Sequence, residues 1–119
     1  MSFKKVLGEI VRTTPGGIGA VLVDDEGEMI DIFTTGDIFQ MKLVGAHQGI
    51  VLSAVRQILE GFGNGDFIGG ISICSEKYVF TIAPVQDDVC VVLLQGRKGV
   101  PSMGMKVLRE AIPSLSRLI

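Results

Sequence analysis

The chain carries one histidine and two cysteines, and its densest basic clusters are the pairs Lys4-Lys5 and Arg97-Lys98. The single imidazole, His47, reads as an interfacial or hydrogen-bonded side chain in mid-helix rather than a general base, so no Ser/His/Asp or Cys/His catalytic set is assigned. Cys74 and Cys90 lack a CxxC spacing and a nearby histidine, which excludes a cysteine-based metal centre; both read as reduced thiols buried in β-like apolar runs. Eleven Lys and Arg against thirteen Asp and Glu leave a formal net charge of −2, so the electrostatic footprint of a nucleic-acid binder is missing. No apolar run approaches the roughly 20 residues of a bilayer span. Met1 to Lys5 lead into an amphipathic pattern instead of a secretory core. The expectation is a soluble, cytoplasmic protein with no membrane span and no nucleic-acid partner.

The glycines make no phosphate cradle. Gly61, Gly63 and Gly65 follow a helix and precede a strand, the reverse of a dinucleotide-binding turn, and no Walker lysine is present. Gly16-Gly17-Ile18-Gly19 likewise leads into a strand, while Gly69-Gly70 reads as lying inside one, at a bulge or close packing. Asp24, Asp25, Glu26 and Glu28 fall in a tight hairpin rather than a calcium loop. No catalytic, cofactor-binding or metal-binding residue is assigned, and no cofactor is expected.

What is abundant is apolar surface. The 119 residues favour one domain, 1–119, and 47% of them are hydrophobic against 20% charged. A mean hydropathy of +0.48 is greasy for so small a domain, which implies that part of the surface meets another chain.

Phe3, Val6, Leu7, Ile10 and Val11 form the stripe of an amphipathic helix, with Ser2 as its N-cap. Ile18 to Val23 is an almost unbroken run for a strand covered on both faces. Asp24 to Gly27 turns it into a hairpin partner at Glu28 to Phe33. Helical spacing then runs from Ile38 to Phe62. Three strands follow, Phe67 to Ser75, Tyr78 to Ala83 and Val89 to Gln95. A last helix starts near Pro101, with Pro113 as a kink. The order αββαβββα makes a three-layer α/β sandwich: a five-stranded, mainly antiparallel sheet with the long second helix on one face and the terminal helices on the other.

The long helix carries more apolar residues than one sheet hides. At about 100° per residue, Met41, Val44, Val51, Leu52, Val55, Ile58, Leu59 and Phe62 form one arc, assigned to the sheet. Phe39, Leu43, Ala46, Ile50 and Ala54 form a second arc, with His47 beside it. Lys42, Arg56 and Glu60, with Gly45, Gly49 and Ser53, fill the narrow charged remainder. Five wet side chains at ~1.5–3 kcal/mol each would rival the stability of a small domain, so either loops or termini cover the second arc or a second copy does. Self-association is the commoner remedy. The strand from Phe67 to Ser75, with Gly69, Ile71 and Ile73, resembles a sheet edge that a symmetry mate can extend. Arg97 and Lys98, on an exposed loop before the last helix, are the residues available to an acidic patch or phosphate on a partner.

The order of elements, the segment Pro15-Gly16-Gly17-Ile18-Gly19-Ala20-Val21-Leu22-Val23-Asp24 and the Asp25-Glu26-Gly27 turn together resemble the Roadblock/LC7 family, over nearly the whole chain. Gly104, in Ser102-Met103-Gly104-Met105, matches a small residue that family members carry early in the last helix, while Pro113 departs from their uninterrupted helix. The resemblance implies a homodimer whose sheets join through the third strand, with the long helices packed together. It also implies a non-catalytic regulator or scaffold for a small Ras-like GTPase. A dynein light-chain-type adaptor and a PAS-like or longin-like small-ligand sensor are the alternatives.

Overall fold

A computed structural model describes all 119 residues. Helix α1 (Phe3–Thr13) starts where the Ser2 hydroxyl accepts a hydrogen bond from the Lys5 amide at 3.2 Å. Gly16, at φ 72°, turns the chain into β1 (Gly17–Asp24), which pairs with β2 (Met29–Thr34). The Asp24 carboxylate accepts from the Glu26 and Glu28 amides, each at 2.9 Å, so the acidic turn caps itself. Asp37 caps helix α2 (Ile38–Phe62) by accepting from the Phe39 and Gln40 amides, and Gly63 ends it at φ 68°, a left-handed conformation that favours glycine. Strands β3 (Ile71–Cys74), β4 (Val79–Gln86) and β5 (Val89–Gln95) and helix α3 (Pro101–Leu118) complete the expected order.

The five strands lie in the order β2-β1-β5-β4-β3 and every ladder is antiparallel. Alternation along β1 and β5 splits the core in two. Ala20, Leu22, Val91 and Leu93 pack with α1 and α3, whereas Val21, Val23, Cys90 and Val92 face α2. The three-layer sandwich read from the sequence is the observed one. Helix α2 crosses β1, β2 and β5 and leaves the same face of β3 and β4 largely open. Its 25 residues, about 37 Å at 1.5 Å per residue, carry the chain from one edge of the sheet to the other.

Four expectations are corrected. The third strand is Ile71–Cys74 instead of Phe67 to Ser75, because Phe67 and Gly69-Gly70 precede the ladder and a Cβ at Gly70 would strike the Met105 side chain. Cys74 is exposed at that edge, and only Cys90 is buried. Pro113 lies inside the last helix, which runs without interruption to Leu118. By length and composition α2 does suffice to cross a bilayer, contrary to the reading of apolar runs; here its row Met41, Gly45, Gln48 and Leu52 is packed on the sheet.

That buried row also differs from the predicted arc. Ile58 and Phe62 are exposed, and the row is centred on Gly45 because the helix comes closest to the sheet there: a Cβ at Gly45 would lie 2.9 Å from Cγ1 of both Val21 and Val23. Strand β3 pairs only with Val79 to Ile82 of β4, so Pro84 stands beyond it, next to a register shift in the β4–β5 ladder.

Gly45 and Gly49 therefore predict opposite outcomes. Gly45→Ala should destabilise the fold by about 1–3 kcal/mol through overpacking. Nothing lies within 4 Å of a Cβ at Gly49, so Gly49→Ala should raise stability by up to about 1 kcal/mol through helix propensity. Urea midpoints of the two variants check this.

Candidate functional site

The outward side of α2 stays uncovered. Phe39 is 73% exposed, Leu43 58% and Ile50 68%; Ala54 is exposed beside them, His47 is exposed at the row's margin and Ala46 is partly covered. On the helix wheel this row is centred about 180° from Met41, Gly45, Gln48 and Leu52, so it points directly away from the sheet. The β1–β2 turn reaches its flank at Ala46, where Gly27 packs on the helix backbone, and leaves Phe39, Leu43 and Ile50 uncovered. Lys42 lies at its flank with Nζ 5.9 Å from the centroid of the Phe39 ring.

The second uncovered region is the β3 margin. Ile71 and Ile73 are half-buried on the α2 side of the sheet and Phe67, ahead of the strand, is 88% exposed. With Phe80 and Tyr78 on the neighbouring β4 side, they border a face that α2 does not cover. The residues assigned to one dimer interface thus lie on two surfaces: Leu43, Ala46, His47, Ile50 and Ala54 face outward from α2, whereas Phe67, Gly69, Ile71 and Ile73 follow the sheet edge.

Charge is separated along the strands. The β1–β2 and β4–β5 turns place Asp24, Asp25, Glu26, Glu28, Asp87 and Asp88 at one end of the sheet, and the β5–α3 connection places Arg97 and Lys98, both exposed, at the other. A groove of about 450 Å³ runs between the first of these turns and α2, lined by Asp25, Glu26, Ala46, Ile50 and Ala54 among others. The Arg97-Lys98 loop is held by Gln95, a buried side chain that donates from Nε2 to the carbonyls of Pro15 (3.1 Å) and Val100 (3.3 Å). Gly99 and Gly104 pack so tightly on Gln95 that a Cβ at either would collide with it. This contact is the physical reason for a small residue early in α3.

Similarity to solved structures covers almost the whole chain. A Roadblock/LC7 domain from Streptomyces avermitilis superposes with a TM-score of 0.88 at 15% identity, over 98% of this chain and 97% of that one. The chain has the Roadblock/LC7 fold. The gliding protein MglB from Thermus thermophilus shows the same arrangement at a TM-score of 0.83, with 16% identity and coverage of 96% and 85%. An MglB described with a tetrameric arrangement matches at 0.84, with 16% identity and coverage of 96% and 85%. No protein-family model and no curated protein sequence matches the chain.

Sequence reasoning missed Gly45 and Gln48 as the helix's contact row. The signal was a glycine in mid-helix, which costs about 1 kcal/mol relative to alanine and marks close backbone approach. It also placed both thiols in the core. Burial pushes the Cys90 thiol up to about 11, partly opposed by Arg56 and reinforced by Asp24. A thiol reagent at pH 8 should therefore label one cysteine per native chain, Cys74, and two after unfolding, as counted by mass spectrometry.

Proposed function

We propose that this chain is a non-catalytic, cytoplasmic regulator or scaffold that acts as a homodimer and binds a small Ras-like GTPase. The observation that carries the reading is the apolar surface at α2 and β3, which the chain exposes although full burial of each large side chain would be worth ~1.5–3 kcal/mol. The Roadblock/LC7 fold supports the GTPase assignment through the resemblance already drawn from the sequence. In this reading β3 of one copy pairs with β3 of the other, continuing the sheet across a two-fold axis and supplying hydrogen-bond partners to edge amides and carbonyls.

The dimer would act by differential affinity. A regulator that supplies no reacting group shifts its partner only by as much as it prefers one conformation over the other. Arg97 and Lys98, fixed by Gln95 on an exposed loop, are the proposed contacts to acidic or phosphate groups of the GTPase. Light scattering should give about twice the 12.7 kDa chain mass, and Ile73→Lys, which places a charge at the joined edge, should lower it. Pull-downs against small GTPases loaded with GTP or GDP analogues should show preferential capture of one state, weakened several-fold by Arg97→Glu with Lys98→Glu. Equal absence of capture in both states would argue against the GTPase assignment.

One observation favours the ligand-sensor alternative. A groove of about 330 Å³ beneath the start of α2 is lined by Ile18, Met41, Val44, Phe80 and Leu94, with Asp37, Gln40 and Tyr78 as polar neighbours, a size within the range of small-molecule sites.

A further inference from the structure

The net charge of −2 hides a division between layers. Of the eleven Lys and Arg, six stand on α1 and α3: Lys4, Lys5, Arg12, Lys106, Arg109 and Arg117. Of the thirteen Asp and Glu, only Glu9 and Glu110 do, so these two helices carry +4 and the remainder of the chain −6. All six cations are exposed. Lys4 is held against Asp31 at 3.1 Å and Arg12 lies over the Phe33 ring at 5.4 Å, whereas Lys5, Lys106, Arg109 and Arg117 pair with no carboxylate. On the helix wheel Lys106 and Arg117 lie opposite the buried Leu108 and Leu115, and Lys5 lies opposite the buried row of α1, so all three point away from the sheet.

We infer that this α1–α3 face is a docking surface for an anionic lipid membrane. Its cations stand in one layer with the exposed apolar side chains of Met1, Val100 and Met103, the mixture of an interfacial surface: the cations take the lipid headgroups and the apolar tips enter the acyl boundary. A nucleic-acid backbone would satisfy the cations but offers those tips no apolar phase. The acidic remainder is repelled by the same lipids, so the molecule settles as an oriented dipole, with α2 on the far side of the sheet facing away from the bilayer.

Pairing at β3 strengthens the fit. Joining two sheets edge to edge uses a two-fold axis close to the sheet normal, which sets the α1–α3 faces of both copies side by side in one plane. A flat polyanion meets both faces at once, and each adds to the avidity of the other. This doubling rests on the homodimer reading; the face of a single chain does not.

Flotation of the full chain with lipid vesicles tests the inference. Phosphatidylcholine vesicles with roughly one-third phosphatidylserine should bind it, pure phosphatidylcholine vesicles should not, and salt near ~0.5 M should release it. Lys106→Gln with Arg109→Gln should weaken binding about 25-fold, at about fivefold per cation removed. Lys42→Gln with Lys77→Gln makes the same change in net charge outside the α1–α3 layer, at equally exposed positions, and should leave binding within about twofold. Met103→Gln keeps the charge and should weaken vesicle binding several-fold. Urea midpoints should show all these variants folded. Binding to neutral vesicles as tight as to anionic ones, or equal losses from the two lysine and arginine pairs, overturns the inference. A DNA duplex bound as tightly as the anionic vesicles, with Met103→Gln without effect, assigns the face to nucleic acid and overturns it too. A chain that is monomeric by light scattering and still binds in this pattern overturns the homodimer reading and supports the face, whereas a dimer that floats with neither vesicle overturns the face and leaves the dimer standing.

Discussion

Helix α2 is the sole helix on its side of the sheet, and this imbalance governs the molecule. Two helices share the burial of the opposite face, where twelve residues form the larger core cluster. On the α2 side a single cylinder must cross from one sheet edge to the other, reach the sheet closely enough at Gly45 to exclude any side chain there, and leave β3 and β4 without a roof. A helix that is apolar around most of its girth cannot satisfy itself against one flat partner. The surplus appears as the exposed row from Phe39 to Ala54.

The opposite layer supplies rigidity. Gln95 joins the α1–β1 turn to the start of α3 through two carbonyls, with Gly99 and Gly104 closing around it. Such a buried amide, its Nε2 donating twice, fixes one loop geometry where an apolar side chain would permit several. Arg97 and Lys98 are displayed from that fixed loop, while the carboxylates gather at the far turns. The polarity is thus built into the antiparallel register: Asp24 aligns with Val89 and Gly17 with Gln95.

Much of this was legible in the residues. The strands β1 and β5 declared themselves by apolar runs without alternation, because both of their faces are roofed; α2 did so through its spacing and the glycines that follow it. The approach to β3 was misread because Phe67 to Gly70 has strand-like composition, whereas ladder formation depends on a neighbour that local sequence does not specify. The helix wheel found the outward row but rotated the buried one, treating Gly45 as a spacer on the charged flank. Periodicity weighs side chains, and the closest approach was made by a residue that has none. The division of the candidate interface between two surfaces could not be read from residue types, since it depends on the directions in which helix and strand face.

Strand β3 covers only half of β4, and Pro84 stands in the uncovered stretch. A proline has no amide hydrogen to offer a newcomer, so a strand laid along this stretch finds one donor fewer than the ladder of Ile71 to Cys74 provides. The margin formed by β3 is therefore short. A four-residue strand with a proline beyond it shortens the bare edge along which open-ended accretion, the ordinary hazard of a greasy sheet, proceeds.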